Sequence, residues 1–378
     1  MEKKKIITLS ALVAGLVLLL LLILLIPKPD TQDPAPTTAQ TQPTGSTESE
    51  TQATEAPTDS STEPASEPSA TQAPSGELIR NPLNGQLLEV PYSGRVFAVS
   101  INNSKSALPF HGVSQADLLF EMYVNDYATR CLALFSDVSD ISSIGSIRST
   151  RYNFTDIALA YNCIVAHANA STAVRDDMYA SGIDQMNADS SIGYRDYDRY
   201  NKRGYAWEHC LFATGSNLQK AAAKKGFALS ISGKDYGLHF SEDVDITDSE
   251  AAAQIDIVFT IGSHQKTTTM KYDAATGKYI FWQYGKKMTD ENNGNDVGFE
   301  NVIVILTENT NSDNYHIADL YGEGDGYFAC GGRIIPIHWV HIHETDPFTF
   351  FLSDGTALTQ AVGSTYIAVA PIGSPIEY

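Results

Sequence analysis

"STRYNFTDIALAYNCIVAHA", residues 149–168, decides how the first half of this chain is read. Phe154, Ile157, Ala158 and Tyr161 recur at the spacing of an amphipathic helix, and Ser149 or Thr150 stands before them as the natural N-cap. "CIVAHA", residues 163–168, is too short for another helix and reads as a buried strand. Upstream, "RVFAVSINN" (95–103), "ADLLFEMYV" (116–124) and "TRCLALFSD" (129–137) read as strands. Downstream, residues 172–182 and 216–226 read as helices, each stopped by a glycine. Strands and helices interleave, which predicts a mixed α/β unit.

Past residue 232 the pattern changes to short β-rich runs, among them "QIDIVFTI", "KTTTMKYD", "KYIFWQYG", "NVIVILTE", "RIIPIHWV" and "TYIAVAPI". "DAATG", residues 273–277, is a hairpin loop between two of them. The expected fold is therefore α+β: an α/β domain over 77–234, then an antiparallel β-rich domain over 235–378.

Three segments precede these domains. "MEKKK" (1–5) is basic, and residues 6–26 are apolar without a single charge. About 21 residues at ~1.5 Å each reach roughly 31 Å, enough to cross a hydrocarbon core. The lysines on the N-terminal side orient such a signal-anchor helix with its N-terminus in the cytoplasm and the rest outside. No small-x-small cleavage site follows the apolar run, and the first cysteine is Cys131, so a cleaved leader and a lipidated cysteine are both poorer readings. Residues 27–76 are Pro, Thr, Ser, Glu, Ala and Gln without an aromatic residue, the composition of a disordered spacer.

The formal net charge is −20, of which about −15 falls on the two domains. Chains this acidic do not coat a phosphate backbone, which excludes general nucleic-acid binding and leaves room only for local anion pockets. Cys131, Cys163, Cys210 and Cys330 have no C-x-x-C or zinc spacing and read as buried small hydrophobes, although an exported chain could oxidise a pair. No phosphate-cradling glycine loop is present, and no cofactor is expected.

"NPLNG" at Asn81, "INNS" at Ile101, "GVSQADLLFE" at Gly112, "TRCLALF" at Thr129, "IGSIRSTR" at Ile144, "RD" at Arg195 and "EHCLFATG" at Glu208 occur in that order. With the closing "FLSDGTALTQAVGSTYIAVAP", this series resembles the YerB-like family of exported Gram-positive proteins. The resemblance implies an N-terminal family domain, a smaller β-rich C-terminal one, and a place in the cell envelope. It implies no reaction. Family members are typically lipoproteins, whereas this chain has an apolar segment where the lipidated cysteine would be. The family's His-Asn-Leu-Tyr-like segment here reads His209-Cys210-Leu211-Phe212.

Several ionisable residues fall beside apolar runs of the first domain. Arg148 and Arg151 flank the helix start, and with Arg130, Asp196 and Arg199 they are the candidate ligand-binding set. Guanidinium forks at a helix start suit carboxylate or phosphate. Glu121, His167 and His209 are the candidate proton-transfer groups. The alternative is structural, with Glu121 paired to Arg130 or Arg148 inside the fold. His341 and His343 alternate in "HWVHIHE", so on a strand they would share a face and form a weak candidate metal pair; no metal is expected. Trp282, Tyr284 and Trp339 could stack on sugar rings or pack within strands. The expected function is a membrane-anchored, extracytoplasmic envelope protein that binds an anionic or glycan polymer such as peptidoglycan. Alternatives are a wall-modifying hydrolase or lyase, and a scaffold for an envelope protein. Whether it is an enzyme stays open.

Overall fold

The interleaved strands and helices read from the first half build one side of a large sheet, and strands from the second half complete it. The structure is a computed structural model that describes residues 79–378 apart from 126–127, 191, 232, 247–248 and 313–314. The expected cytoplasmic tail, apolar helix and spacer (1–5, 6–26 and 27–76) lie outside the described residues. Among the described residues no helix is long and apolar enough to cross a membrane.

The first half contributes β1 (Phe97–Asn102), β2 (Leu118–Asn125), β3 (Ala128–Phe135), α1 (Tyr152–Ala160), β4 (Ile164–His167), α2 (Thr172–Ala180), β5 (Gln185–Asn187), α3 (Tyr197–Asn201) and α4 (Gly215–Lys224). The second half contributes β6 (Gln254–Ile261), β7 (His264–Asp273), β8 (Lys278–Gln283), β9 (Asn301–Thr307), β10 (Gly322–Cys330), β11 (Arg333–His341) and β12 (Thr365–Pro371). The main sheet has eleven strands, and its longer members run in the order β11-β10-β9-β12-β2-β3-β1-β4-β5. It crosses the expected boundary near residue 235 without a break.

The junction is β12, which pairs in parallel with both β2 and β9. The second half was expected to be antiparallel; its β6–β7, β7–β8, β9–β10 and β10–β11 pairs are, but the β9–β12 pair is parallel. "TYIAVAP" is buried at every position, the signature of a strand covered on both faces, which suits a parallel central place.

The two faces of the sheet are covered differently. On one, α1 and α2 press Phe154, Ile157, Val174 and Met178 onto Leu118, Phe120, Leu132 and Leu134. On the other, the antiparallel sheet of β6, β7 and β8 presses Ile257, Phe259, Met270 and Phe281 onto Ile101, Leu119, Cys131 and Tyr366. Because neighbouring residues of a strand face opposite ways, β3 sends Arg130, Leu132 and Leu134 to the helical side and Cys131 and Ala133 to the second sheet.

α1 starts later than its sequence suggests. Residues 146–148 run beside β1, with Arg148 N donating to Ser100 O (2.9 Å) and Asn102 N to Ser146 O (2.9 Å). Thr150 N is spent on Asn169 O, so the chain stays extended through Arg151. Arg151, not Ser149 or Thr150, takes the N-cap position, and no side chain caps the helix. The four cysteines are buried and unpaired.

Candidate functional site

The C-terminal end of β1 and the start of β3 lie side by side, with Asn102 opposite Arg130. Residues 146–151 and the loop before Leu211 close over this end, which brings Arg130, Arg148, Arg151 and His209 into one neighbourhood.

Arg130 is 7% exposed, and its Nη1 donates to Ser149 O at 2.6 Å. The same carbonyl accepts from Ser100 Oγ (3.2 Å) and from Arg151 Nη1 (3.5 Å), which also donates to Thr150 O at 2.7 Å. Arg151 lies under the ring of Tyr315, 4.6 Å from its centroid. Arg148 is half-buried and donates to Glu208 O at 3.2 Å. These guanidiniums bond to backbone carbonyls and stack on an aromatic ring, and none of the three forms an ion pair among the described residues. Burial first, and then the charges of Arg151 and Arg148, push the Arg130 pKa well below the usual arginine range.

His209 borders this group. Its Nδ1 accepts from the Asn102 amide (2.8 Å), which places the proton on Nε2, facing Ser106 Oγ at 3.0 Å. Burial, and next the Arg148 charge, lower its pKa, so it is a neutral imidazole at pH 7.

The remaining expected residues go elsewhere. Glu121 is 0% exposed and faces the second sheet, on the opposite side of the main sheet from Arg130. It pairs with Lys266 of β7, not with Arg130 or Arg148. Its Oε1 also accepts from Asn103 Nδ2 (2.8 Å) and Thr129 Oγ1 (2.5 Å), and its Oε2 from Thr268 Oγ1 (2.9 Å) and Tyr366 OH (2.7 Å). Arg199 is fully buried between the rings of Tyr205 (4.0 Å) and Phe212 (5.3 Å). It bonds Ala107 O (2.5 Å), His111 Nε2 (3.0 Å) and Glu291 Oε2 (3.3 Å), tying α3 to a loop of the second half. Asp196 caps α3 by accepting from Arg199 N at 2.9 Å. His167 is held at both nitrogens, by Asn169 O (3.0 Å) and the Gln185 amide (2.9 Å).

His341 ends its strand and is 1% exposed, stacked on Phe348 at 4.2 Å with Nδ1 against Leu320 O. His343 lies in the exposed turn beyond, so the alternation expected to put the two on one face stops at His341. Trp339 is buried in strand packing, while Trp282 and Tyr284 line an open groove of about 540 Å³ on the second sheet.

Sequence reasoning missed Lys266, Asn103, Tyr315, His111 and Glu291. Lys266 alone carried a signal, because it alternates with the inward-facing Thr268 and Met270.

Comparison with known proteins places this architecture. Residues 85–228 match the N-terminal domain and residues 255–367 the C-terminal domain of a protein of unknown function (DUF3048). The chain belongs to the YerB-like family. It is 23% identical over 300 residues to the Bacillus subtilis (strain 168) protein "Putative lipoprotein YerB", spanning 78% of this chain and 86% of that one. The crystal structure of YerB protein from Bacillus subtilis superposes with a TM-score of 0.68 over 79% of this chain and 100% of that one, at 23% identity. The likeness to that structure concerns the fold.

Proposed function

We propose that this protein works in the cell envelope, outside the membrane and attached to it, and binds an anionic or glycan polymer through Arg130, Arg148 and Arg151. The observation that carries the reading is the meeting of the Arg130 and Arg151 guanidiniums at the Ser149 carbonyl, with Arg148 beside them on Glu208 O and no ion pair to any of the three among the described residues. Buried positive charge is expensive unless something negative meets it, and among the described residues no carboxylate pairs with Arg130 or Arg151. A planar fork matches a carboxylate or a phosphate oxygen pair, and each charge-assisted bond is worth about 1.5–3 kcal/mol. On a chain of net charge −20 such a patch is local, so it selects groups that reach into it rather than attracting polyanions at large. The lipoprotein character named for the B. subtilis relative supports attachment to the membrane, with the apolar 6–26 segment serving here in place of a lipidated cysteine.

The hydrolase or lyase reading has less support. Glu121, its expected acid, is enclosed, and both its oxygens are occupied by donors. The test is co-sedimentation of the full chain in detergent with purified cell-wall sacculi, beside an Arg130→Met/Arg151→Met variant shown by circular dichroism to be folded. Loss of binding in the variant supports the reading. Equal binding by both chains refutes it, and release of wall fragments by the parent alone would establish an enzyme instead.

A further inference from the structure

Glu121 does more than neutralise Lys266. Its Oε1 accepts at once from the Lys266 ammonium and from the side-chain amide of Asn103, so the amine and the amide nitrogen stand one carboxylate oxygen apart. The amide's orientation is fixed from both ends. Its Nδ2 faces Glu121 and Thr129 Oγ1 (3.0 Å), and its Oδ1 accepts from Gln283 Nε2 at 2.6 Å. Tyr284 OH pins the Asn103 backbone carbonyl at 2.9 Å. The four groups Lys266, Glu121, Asn103 and Gln283 are 8%, 0%, 1% and 2% exposed. The rings of Phe259, Phe281 and Tyr284 surround the Lys266 nitrogen at 5.7–6.0 Å.

We propose that Lys266 and Asn103 become joined by an amide bond, formed by the protein on itself with Glu121 as the proton carrier. Glu121 takes a proton from the Lys266 ammonium, and the free amine attacks Cγ of Asn103. Gln283 Nε2 donates to Oδ1 as negative charge gathers there, the role of an oxyanion donor. Glu121 then hands its proton to Nδ2. The Cγ–Nδ2 bond breaks as the carbonyl re-forms, and Glu121 removes the surplus proton from the new Nζ–Cγ linkage. That proton departs with the ammonia as ammonium, and the Glu121 carboxylate is restored. One C–N bond is exchanged for another, so no oxidant or second reactant is needed. Fixed neighbours supply the effective concentration that an amide, a poor acyl donor, requires. Burial of Asn103 beneath Gln283 keeps water from competing for the acyl group.

The consequence is topological. Asn103 follows β1 in the first half and Lys266 lies on β7 in the second, so the bond would lock the two family halves together covalently. The inference stands apart from the arginine site, which lies on the other face of the sheet.

The test is the intact mass of the purified full chain, followed by a tryptic peptide map. The expected result is a mass lower by one ammonia than the sequence dictates, with the peptides bearing Asn103 and Lys266 recovered as one branched species. Glu121→Gln and Lys266→Arg should each restore the separate peptides. An unmodified mass in the parent protein after prolonged incubation overturns the proposal, whatever the variants do. So does an ammonia loss that maps elsewhere, for instance to the succinimide-prone Asn84-Gly85 or Asn293-Gly294 steps.

Discussion

Replacing Arg130 by methionine separates a ligand site from an internal strut. Arg130 and Arg151 both donate to Ser149 O, at 2.6 and 3.5 Å, so the two donor nitrogens lie within about 6 Å of each other. At an effective dielectric constant of ~20, two unit charges at that separation repel by about 3 kcal/mol. The bond from Arg130 to the carbonyl returns about 1.5–3 kcal/mol, being charge-assisted. Ser149 O keeps Ser100 Oγ and Arg151 when Arg130 is gone, so no acceptor is orphaned. Methionine preserves most of the buried stem. Arg130→Met is therefore expected to be neutral to about 1.5 kcal/mol stabilising without ligand, an upward shift of no more than ~6 °C at 2–4 °C per kcal/mol. Salt should shrink the difference, because it screens part of the repulsion. The assay is thermal unfolding of both full chains at low and high salt, with and without inorganic pyrophosphate. Ligand at one hundred times its dissociation constant adds about 2.7 kcal/mol, and only the parent should receive it. A variant that melts several degrees lower at every salt concentration, beside a parent indifferent to pyrophosphate, would make Arg130 a strut and refute the reasoning.

Other expectations follow from single groups. Asp290, fully buried, accepts from Gly112 N, Ser114 N and Ser114 Oγ, so Asp290→Ala leaves one buried and two half-buried donors bare. At about 1–3 kcal/mol for each, denaturant unfolding should show a loss of at least ~3 kcal/mol, and a loss below ~1 kcal/mol would contradict the reading. Burial pushes the Asp156 carboxyl up to about 6, above its ordinary value, so its charge costs stability in full above pH 6, and the cost fades as pH falls from there to the ordinary carboxyl range. Asp156→Asn should then be the more stable chain at pH 8, by up to ~3 kcal/mol less its weakened bond with Tyr321, and lose that advantage by pH 4; equal offsets at both pH values would dismiss the idea. The His209 pKa is lowered by burial and then by Arg148, so the stability it contributes is present above pH ~6.5 and is lost as pH falls through its folded value. An anion held by the arginines should raise that pKa, which proton NMR of the His209 ring would show on adding pyrophosphate; an unmoved titration speaks against the site.

What was legible in the sequence was what repeats locally. β1, β2, β3 and α1 came from two-residue and 3.6-residue periodicities, and their ends fell within two residues of the expected ones or close to it. The placement of β12 was not legible, because an apolar run announces burial on both faces without naming its neighbours. The charges on apolar stripes held more information than the reading extracted. Glu121 shares its stripe with Leu119 and Tyr123, and Lys266 shares its own with Thr268 and Met270. One unbalanced acid and one unbalanced base, on inward faces of opposite halves, can be satisfied together only if those faces meet, and 145 residues apart in sequence they do. The same reasoning applied to Arg130 ends differently. It shares a stripe with Leu132 and Leu134 on the helical face, and it too asks for an acid. Two buried acids of the loops and strand ends are already engaged, Asp117 by Ser136 N and Asn84 and Asp290 by backbone around Ser114. Glu121 is taken, on the wrong face. Among the described residues the positive charge at Arg130, reinforced by Arg148 and Arg151, is left without its opposite, and that imbalance is the physical reason to look for the missing acid outside the chain.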